Sequence, residues 1–210
     1  MPTFKLSYFD CKARAEAIRY LFQLSGTEFE DCRVENEKWT ELKPKIELGQ
    51  LPVLEIDGTE YPQSRAACRH LSRKFGFYGK DDHERFLIDI VCETADDLWE
   101  EMYRIIEAEK EKKRELRETF KTEGALKVTA NLEKLLKKNK NGTGWFVGDG
   151  ITLADVMAFN MIYDFIPSVL ETEEGTFDLK DQEVLKAFVE RFKSNAKISD
   201  WLKKRPLRPY

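Results

Sequence analysis

The chain has 210 residues, of which 41% are hydrophobic, enough to fill the core of one large domain or two small ones. Its 35 Lys and Arg residues against 39 Asp and Glu give a formal net charge of −4, which excludes the basic field of a nucleic-acid-binding or membrane-surface protein. An anionic ligand must therefore be bound by local groups.

The sequence predicts a cytosolic protein that does not cross a membrane. The N-terminal residues MPTFKLSYFD lack a basic segment followed by an apolar one, and no apolar run approaches the ~18 residues of a membrane span. Because no two cysteines have the CxxC spacing, the pattern argues against a zinc site and against a secreted disulfide framework. We expect reduced, mostly buried thiols at Cys11, Cys32, Cys68 and Cys92. The isolated His70 and His83 have no metal-ligand spacing, so no metal site is expected.

The first 76 residues have the pattern of an α/β domain. Alternating apolar residues predict strands, and apolar residues that recur every three or four positions predict helices. The predicted elements are a strand at 3–9, a helix at 11–24, strands at 29–34, 53–56 and 59–61, and a helix at 64–74. This order is βαβ followed by ββα, which predicts a thioredoxin-like domain over residues 1–76.

Residues 77–82 form the predicted linker, and residues 83–210 are predicted to be an all-helical domain. Glycines in the loop at 139–150 are not followed by Gly-Lys-Ser/Thr, so a phosphate-binding loop is not indicated. Thr152 with Asp155 three residues later is typical of a helix start. The other predicted features are a long helix over 87–105, a solvated helical surface over 107–123, and helices at 181–194 and 197–204.

Two groups at the junction of the first strand and first helix could carry chemistry, the phenol of Tyr8 and the thiol of Cys11. The missing CxxC argues against a disulfide oxidoreductase. A second feature is Pro52, which stands directly before the strand Val53–Ile56 although proline cannot donate a ladder hydrogen bond. The backbone at Leu51-Pro52 is therefore available for something other than the sheet.

Several segments resemble sigma-class glutathione S-transferases in their order and spacing along the whole chain. In the first domain these are Tyr8-Phe9, Arg14 to Arg19 (RAEAIR), Trp39, Lys43, Gly49 to Leu54 (GQLPVL) and Gln63-Ser64. In the second part they are Leu71 to Gly76, Val147 to Asp149, Thr152 to Asp155, Trp201-Leu202 and Arg205-Pro206. The departures from the family pattern are Cys11, Lys12, Ala17 and Arg65, which bear on rate and substrate range more than on the ligand.

The resemblance implies a glutathione site in the first domain, with glutathione as co-substrate and no metal. In the family the proline is cis, and the residue before it binds the cysteinyl backbone of glutathione like an added strand. Tyr8 would stabilise the thiolate, and Arg14 would add positive potential, although a surface ion pair is its alternative. The implied glutathione contacts are Tyr8, Trp39, Lys43, Gln50, Leu51, Pro52, Gln63 and Ser64, with Asp97 from the partner subunit.

The resemblance also implies a homodimer that conjugates glutathione to small hydrophobic electrophiles in detoxification. The implied electrophile contacts are Phe9, Arg14, Met102, Ile106 and Tyr163, of which the last three could equally be core residues. Asp97 could also be an ordinary surface charge. Sigma-class relatives include prostaglandin D synthases, which isomerise, and lens crystallins with little activity, so an isomerase and a hydrophobic-ligand or haem carrier are alternatives. A cysteine-based enzyme that uses Cys11 is a further alternative, because a helix N-terminus can lower a thiol pKa.

Overall fold

The computed structural model describes residues 2–206, which form two compact units. The first unit comprises the chain up to Gly76 together with the segment from Ala196 onward, and the second unit is Phe77–Asn195. The C-terminal helix therefore belongs to the first unit, although it follows the second unit in sequence.

The first unit contains a four-stranded sheet with the strand order β2-β1-β3-β4. β1 pairs parallel with β2 and antiparallel with β3, and β3 pairs antiparallel with β4. The strands are β1 (Phe4–Phe9), β2 (Glu30–Val34), β3 (Val53–Ile56) and β4 (Thr59–Pro62); the helices are α1 (Ala13–Ser25), α2 (Asn36–Leu42) and α3 (Ser64–Phe75), with a 3₁₀ turn at Lys43–Lys45. The predicted α/β, thioredoxin-like class with a following helical part is confirmed.

The core of the first unit forms because β1 alternates buried and half-buried residues while α1 is buried along most of its length. The Phe22 ring of α1 stacks on Phe29, with centroids 4.3 Å apart, and meets the edge of Phe4 at 5.3 Å. Helix α1 ends at Gly26, whose φ of 73° is the left-handed conformation that glycine adopts at little cost.

Helix α11 (Ala196–Lys204) is joined to α1 through the buried carboxylate of Glu16. Glu16 Oε1 accepts hydrogen bonds from Arg205 Nη1 at 2.8 Å and from Trp201 Nε1 at 2.7 Å, and Oε2 accepts from Arg19 Nη1 at 3.0 Å. Burial acts to raise the pKa of Glu16, but Arg205, Arg19 and these hydrogen bonds hold the pKa below its ordinary value. We call these four side chains the Glu16 cluster.

The second unit is helical, with α4 (Asp82–Asp96), α5 (Leu98–Glu107), α6 (Lys110–Thr119), α7 (Ala125–Lys138), α8 (Leu153–Phe159), α9 (Ile166–Leu170) and α10 (Glu183–Lys193). The single long helix predicted over 87–105 is two helices that meet at Asp97, which keeps helical angles (φ −56°, ψ −26°). Helix α6 has no buried residue, so the predicted solvated surface is confirmed over that helix. Asp155 and Thr152 form the predicted capping box of α8.

One segment of the described chain, Leu153–Leu170, is long and apolar enough for a membrane span by length and composition. It is weak evidence for one, because 83% of it is buried inside the protein. Among residues 2–206, no group of three or more His, Cys, Asp or Glu residues has an arrangement that could hold a metal ion.

Candidate active site

The sheet register brings one end of each of the four strands together with the segments predicted to form the site. The last β1–β3 pair is Ser7 with Val53, so continuing the same register by one residue puts Tyr8 opposite Pro52. On the other side of β3, Val53 pairs with Pro62 of β4, so continuing that register by one residue puts Gln63 opposite Pro52 as well. Strand β2 runs parallel to β1, so its carboxyl end reaches the same edge before the chain enters α2, which carries Trp39. Four segments that are distant in sequence therefore meet at one end of the sheet.

Tyr8 is the penultimate residue of β1 and is 7% exposed. It lies on the same side of the strand as the buried Phe4 and Leu6, which fixes the base of the ring in the core. The ring of the next residue, Phe9, meets it edge-on at a centroid distance of 5.6 Å. A phenol held in this way can present an O–H group without further ordering of the side chain.

The turn that follows Tyr8 is clamped by two arginines that share the carboxylate of Asp31 on β2. Arg19 Nε donates to Asp31 Oδ1 at 3.0 Å, and Arg33 Nη2 donates to Oδ2 at 2.8 Å. Arg19 Nη1 also donates to the Cys11 carbonyl at 2.8 Å, and Arg33 Nη1 donates to Asp10 Oδ1 at 3.1 Å. Each arginine therefore fixes one residue of the turn between Tyr8 and α1.

Cys11 in this turn is half-buried, and burial raises the pKa of its thiol to about 11. The positive charges of Arg19 and Arg33 act in the opposite direction but do not offset the desolvation. At neutral pH Cys11 is therefore a protonated thiol, and it precedes the first residue of α1, Ala13, by two positions. These surroundings disfavour the cysteine-based alternative.

The Leu51–Pro52 peptide bond is cis, as the resemblance implies. Pairing of β3 with both neighbouring strands begins at Val53, so Leu51 and Pro52 lie outside the ladder although β3 is a central strand. The proline thus precedes the strand at a position where no ladder N–H is needed, and the backbone of Leu51 projects beyond the sheet.

Gln63 has the unusual backbone angles φ 78° and ψ 99° immediately before α3. A residue other than glycine in such a conformation costs on the order of 1–3 kcal/mol and persists where surrounding structure imposes it, often at functional sites. Its carbonyl accepts the hydrogen bond from the N–H of Ala67, and Ser64 begins the helix with 9% exposure. The N-terminal N–H groups of α3, a helix of 12 residues, are available near Ser64 for an anionic group.

The segment 36–50 is mostly exposed, and it carries Trp39, Lys43 and Gln50. Helix α2 has no buried residue, Trp39 is half-buried, and Lys43 and Gln50 are exposed. The Trp39 ring meets the edge of Phe9 at a centroid distance of 5.3 Å. Gly49 has the left-handed φ of 56°, and a Cβ added there would make an ordinary contact with Lys43, 3.6 Å from its Cγ.

Two family models match the chain, one described as the N-terminal domain of glutathione S-transferase over residues 4–73 and one as its C-terminal domain over residues 96–205. The chain belongs to the glutathione S-transferase family. Among curated relatives, S-crystallin SL11 of Nototodarus sloanii is 38% identical over 208 residues, with 98% of each chain covered. Glutathione S-transferase 3 of Caenorhabditis elegans is 35% identical over 211 residues, and hematopoietic prostaglandin D synthase of Gallus gallus is 33% identical over 207, again with 98% of each chain covered.

Solved structures give the same family. The sigma-class transferase of Fasciola hepatica superposes with a TM-score of 0.86 at 28% identity and covers 100% of this chain and 99% of that one. The prostaglandin synthase D of Nilaparvata lugens has a TM-score of 0.86 at 28% identity and covers 98% of this chain and 100% of that one. The predicted resemblance and the assignment as a transferase enzyme are confirmed.

The remaining predicted residues of this transferase lie on α1, at the junction of α4 with α5, and on α5. Arg14 is half-buried on the first turn of α1, next to the buried Lys12. Asp97 is exposed where α4 meets α5. On α5, Met102 is buried with 8% exposure, whereas Ile106 is 51% exposed. The roles predicted for them stay predictions.

Tyr163 is packed within the second unit. Its ring stacks on Phe159 with centroids 4.9 Å apart, and Lys193 Nζ lies 5.9 Å from its centroid. Gly175 donates its N–H to the Tyr163 carbonyl at 2.9 Å, and a Cβ on that glycine would lie only 2.5 Å from the ring. These contacts favour the core alternative for Tyr163.

Sequence reasoning did not identify Asp31 or the Glu16 cluster as part of the site's framework. A signal was present, because Glu16 and Arg19 fall on the face of α1 that is otherwise apolar. Charged residues at such positions are rarely buried without partners, so they indicate a buried ion pair.

Proposed function

We propose that this transferase activates the thiol of glutathione as a thiolate through Tyr8 and conjugates it to small hydrophobic electrophiles. The observation that carries the proposal is the register of the sheet, because it brings Tyr8, the cis Leu51–Pro52 bond and Gln63 to one edge. The buried position of Tyr8 and the high pKa of the Cys11 thiol support Tyr8 as the activating group.

The chemistry follows from the ordinary acidity of a thiol. A free thiol with a pKa of about 8.5 is only a few per cent ionised at pH 7. A hydrogen bond to a charged acceptor contributes about 1.5–3 kcal/mol, which lowers the thiol pKa by about one to two units. The phenol of Tyr8 donates this bond. The proton of the thiol passes to solvent, because Tyr8 stays protonated as the donor. The thiolate sulfur then forms a bond to the electrophilic carbon, and the leaving group departs with the electron pair of the broken bond.

The remaining groups bind the two ends of glutathione. Trp39 and Lys43 supply an indole donor and a cation for the glycyl carboxylate. Gln63, Ser64 and the N-terminus of α3 receive the γ-glutamyl carboxylate. The backbone of Leu51 pairs with the cysteinyl residue in the manner of an added strand, beside Pro52 and Gln50. Arg14 at the start of α1 adds positive potential near the sulfur.

The proposal includes a cytoplasmic homodimer in which the partner subunit contributes Asp97. Two features of α4 support it: Phe86 is 63% exposed, and Asp97 at the end of the helix is exposed as well. Asp97→Ala is expected to weaken glutathione binding and leave the dimer intact. Titration calorimetry and light scattering measure the two properties separately, and an unchanged affinity would make Asp97 an ordinary surface charge.

The decisive experiment follows the ultraviolet absorbance of the bound thiolate against pH in the wild type, in Tyr8→Phe and in Cys11→Ser. We expect Tyr8→Phe to raise the pKa of bound glutathione and to lower conjugation of an aryl halide roughly 10- to 150-fold, the rate equivalent of about 1.5–3 kcal/mol. Cys11→Ser is the matched control and should keep most of the activity. A wild-type titration in Tyr8→Phe with loss of turnover in Cys11→Ser would assign the chemistry to the cysteine.

The resemblance implies two alternatives, a prostaglandin D isomerase and a non-catalytic carrier of hydrophobic ligands or haem, and relatives named as a prostaglandin D synthase and an S-crystallin are consistent with keeping both. Capture on immobilised glutathione followed by assays with an aryl halide and with a prostaglandin endoperoxide distinguishes them. Retention without turnover of either substrate favours the carrier, whereas turnover of the endoperoxide favours the isomerase.

A further inference from the structure

Three aromatic rings form a row at the end of β1. Phe9 meets Tyr8 at a centroid distance of 5.6 Å and an interplanar angle of 64°, and it meets Trp39 at 5.3 Å and 78°. Both contacts are edge-to-face, the geometry in which the positive edge of one ring faces the negative face of the other. Phe9 therefore links the last strand residues to helix α2.

The orientation of helix α2 depends on aromatic contacts such as the one between Phe9 and Trp39. It has seven residues, fewer than the roughly 12–15 that an isolated helix needs in water, and none of them is buried. Only Trp39 and Leu42 are half-buried, and the other five residues are exposed. The Phe9–Trp39 contact is thus one of the few apolar contacts through which this helix can be oriented.

The orientation of α2 determines where two proposed ligands of glutathione lie. Trp39 is in the middle of the helix, and Lys43 follows immediately in the 3₁₀ turn Lys43–Lys45. A change in the helix orientation moves the indole and the ammonium group together, because one continuous helical segment carries both.

We propose that Phe9 is a positioning residue for glutathione recognition, which holds Trp39 and helix α2 in the orientation that binds the glycyl carboxylate. This role rests on the proposed function and differs from the electrophile contact that the family resemblance implies for Phe9. It acts before any electrophile is bound.

The size of the effect follows from the strength of an aromatic pair. Such a pair contributes about 0.5–1.5 kcal/mol beyond its buried area, so its loss lowers the population of the binding-competent orientation by roughly 2- to 12-fold at most. The apparent dissociation constant of glutathione rises by the same factor, because affinity scales with the competent fraction.

The test is a double-mutant cycle measured by titration calorimetry with glutathione alone, so that electrophile contacts contribute nothing. Phe9→Leu is expected to weaken binding roughly 2- to 12-fold in the wild-type background and to have no further effect in the Trp39→Leu background, where its ring partner is already absent. Phe9→Tyr keeps the ring and should retain near wild-type affinity, while the coupling to Trp39 in the double-mutant cycle separates the ring contact from a general effect of side-chain volume.

Two results would overturn the inference: wild-type affinity in Phe9→Leu, or an equal loss of affinity in both backgrounds. Folding of each variant is checked by its thermal midpoint, and the comparison of Phe9→Tyr with Phe9→Leu remains informative if Trp39→Leu is unstable. Failure of every protein, including the wild type, to bind glutathione would instead reject the proposed function and this inference with it.

Discussion

Replacing Glu16 by Gln tests the buried charge cluster that holds α11 on α1. The substitution keeps the size of the side chain and removes only its charge and part of its acceptor capacity. Glu16 and Arg205 are 1% and 3% exposed, so the negative charge is removed from an environment that contains almost no water. Arg19 keeps its ion pair with Asp31, so we expect the cost of one broken buried pair, about 3–5 kcal/mol.

Such a loss is a large part of a typical folding free energy of about 5–15 kcal/mol, and it should lower the thermal midpoint by about 6–20 °C. Urea unfolding followed by circular dichroism at one fixed protein concentration measures it. The control is Glu183→Gln, which breaks an exposed pair with Lys186 and should cost at most about 1 kcal/mol. Equal stabilities of the two variants would refute the reasoning.

The difference in unfolding free energy between the wild type and Glu16→Gln should depend on pH. The pKa of Glu16 is lowered in the folded state, so its contribution to stability is fully present above the unfolded value of about 4.3 and is lost as the pH falls through the lower folded pKa. The difference in unfolding free energy between wild type and Glu16→Gln should therefore be constant near neutral pH and shrink in acid. A difference that grows in acid would mean that Glu16 is protonated in the folded protein.

Three further outcomes are expected. Burial raises the pKa of Cys11 from an ordinary 9.0 to about 11, so its alkylation at pH 7, followed by mass spectrometry, should be on the order of 100-fold slower than that of a thiol with the ordinary pKa. An equal rate would show that Cys11 ionises as an ordinary thiol. Gly79→Ala should unfold at a lower urea concentration than Gly76→Ala. Both glycines have positive φ, but only at Gly79 would a Cβ come within 2.8 Å of the Glu84 side chain. Equal urea midpoints would contradict this steric argument. Asp155→Ala should lower the free energy of unfolding, measured in urea, by about 2–6 kcal/mol, because the buried N–H groups of Phe146 and Thr152 lose their acceptor. A loss below about 1 kcal/mol would show that these N–H groups find another acceptor.

The sheet was predictable from the sequence because its signals are local. Alternation in β1, the short β-branched and apolar run of β3 and the Asp57-Gly58 turn indicate the strands, and Pro52 marks the point where pairing stops. The junction of the first strand and first helix indicated Tyr8 as one of two candidates, whereas only the resemblance identified Gln63 and Ser64.

Other parts of the fold could not be predicted, because their causes are distant in sequence or carry no pattern. Helix α2 has no buried face, so it has no apolar period to detect. The backbone of Gln63 adopts positive φ without a glycine to signal it. Glu16 binds Arg205, which is 189 residues away, so nothing local to 197–204 indicates that this helix belongs to the first unit.

The attachment of α11 to the first unit also sets an order of events during synthesis. At roughly 5–20 residues per second, a ribosome needs about 10–40 s to travel the 189 residues between Glu16 and Arg205. Helix α1 and the strands β2 to β4 are completed early in that interval, once the ribosome has passed Pro62, but the carboxylate of Glu16 lacks Arg205 and Trp201 until its end. The thioredoxin-like unit is thus the first to emerge and the last to be completed, so a nascent chain arrested before Trp201 should present an α1 helix that is open to proteolysis.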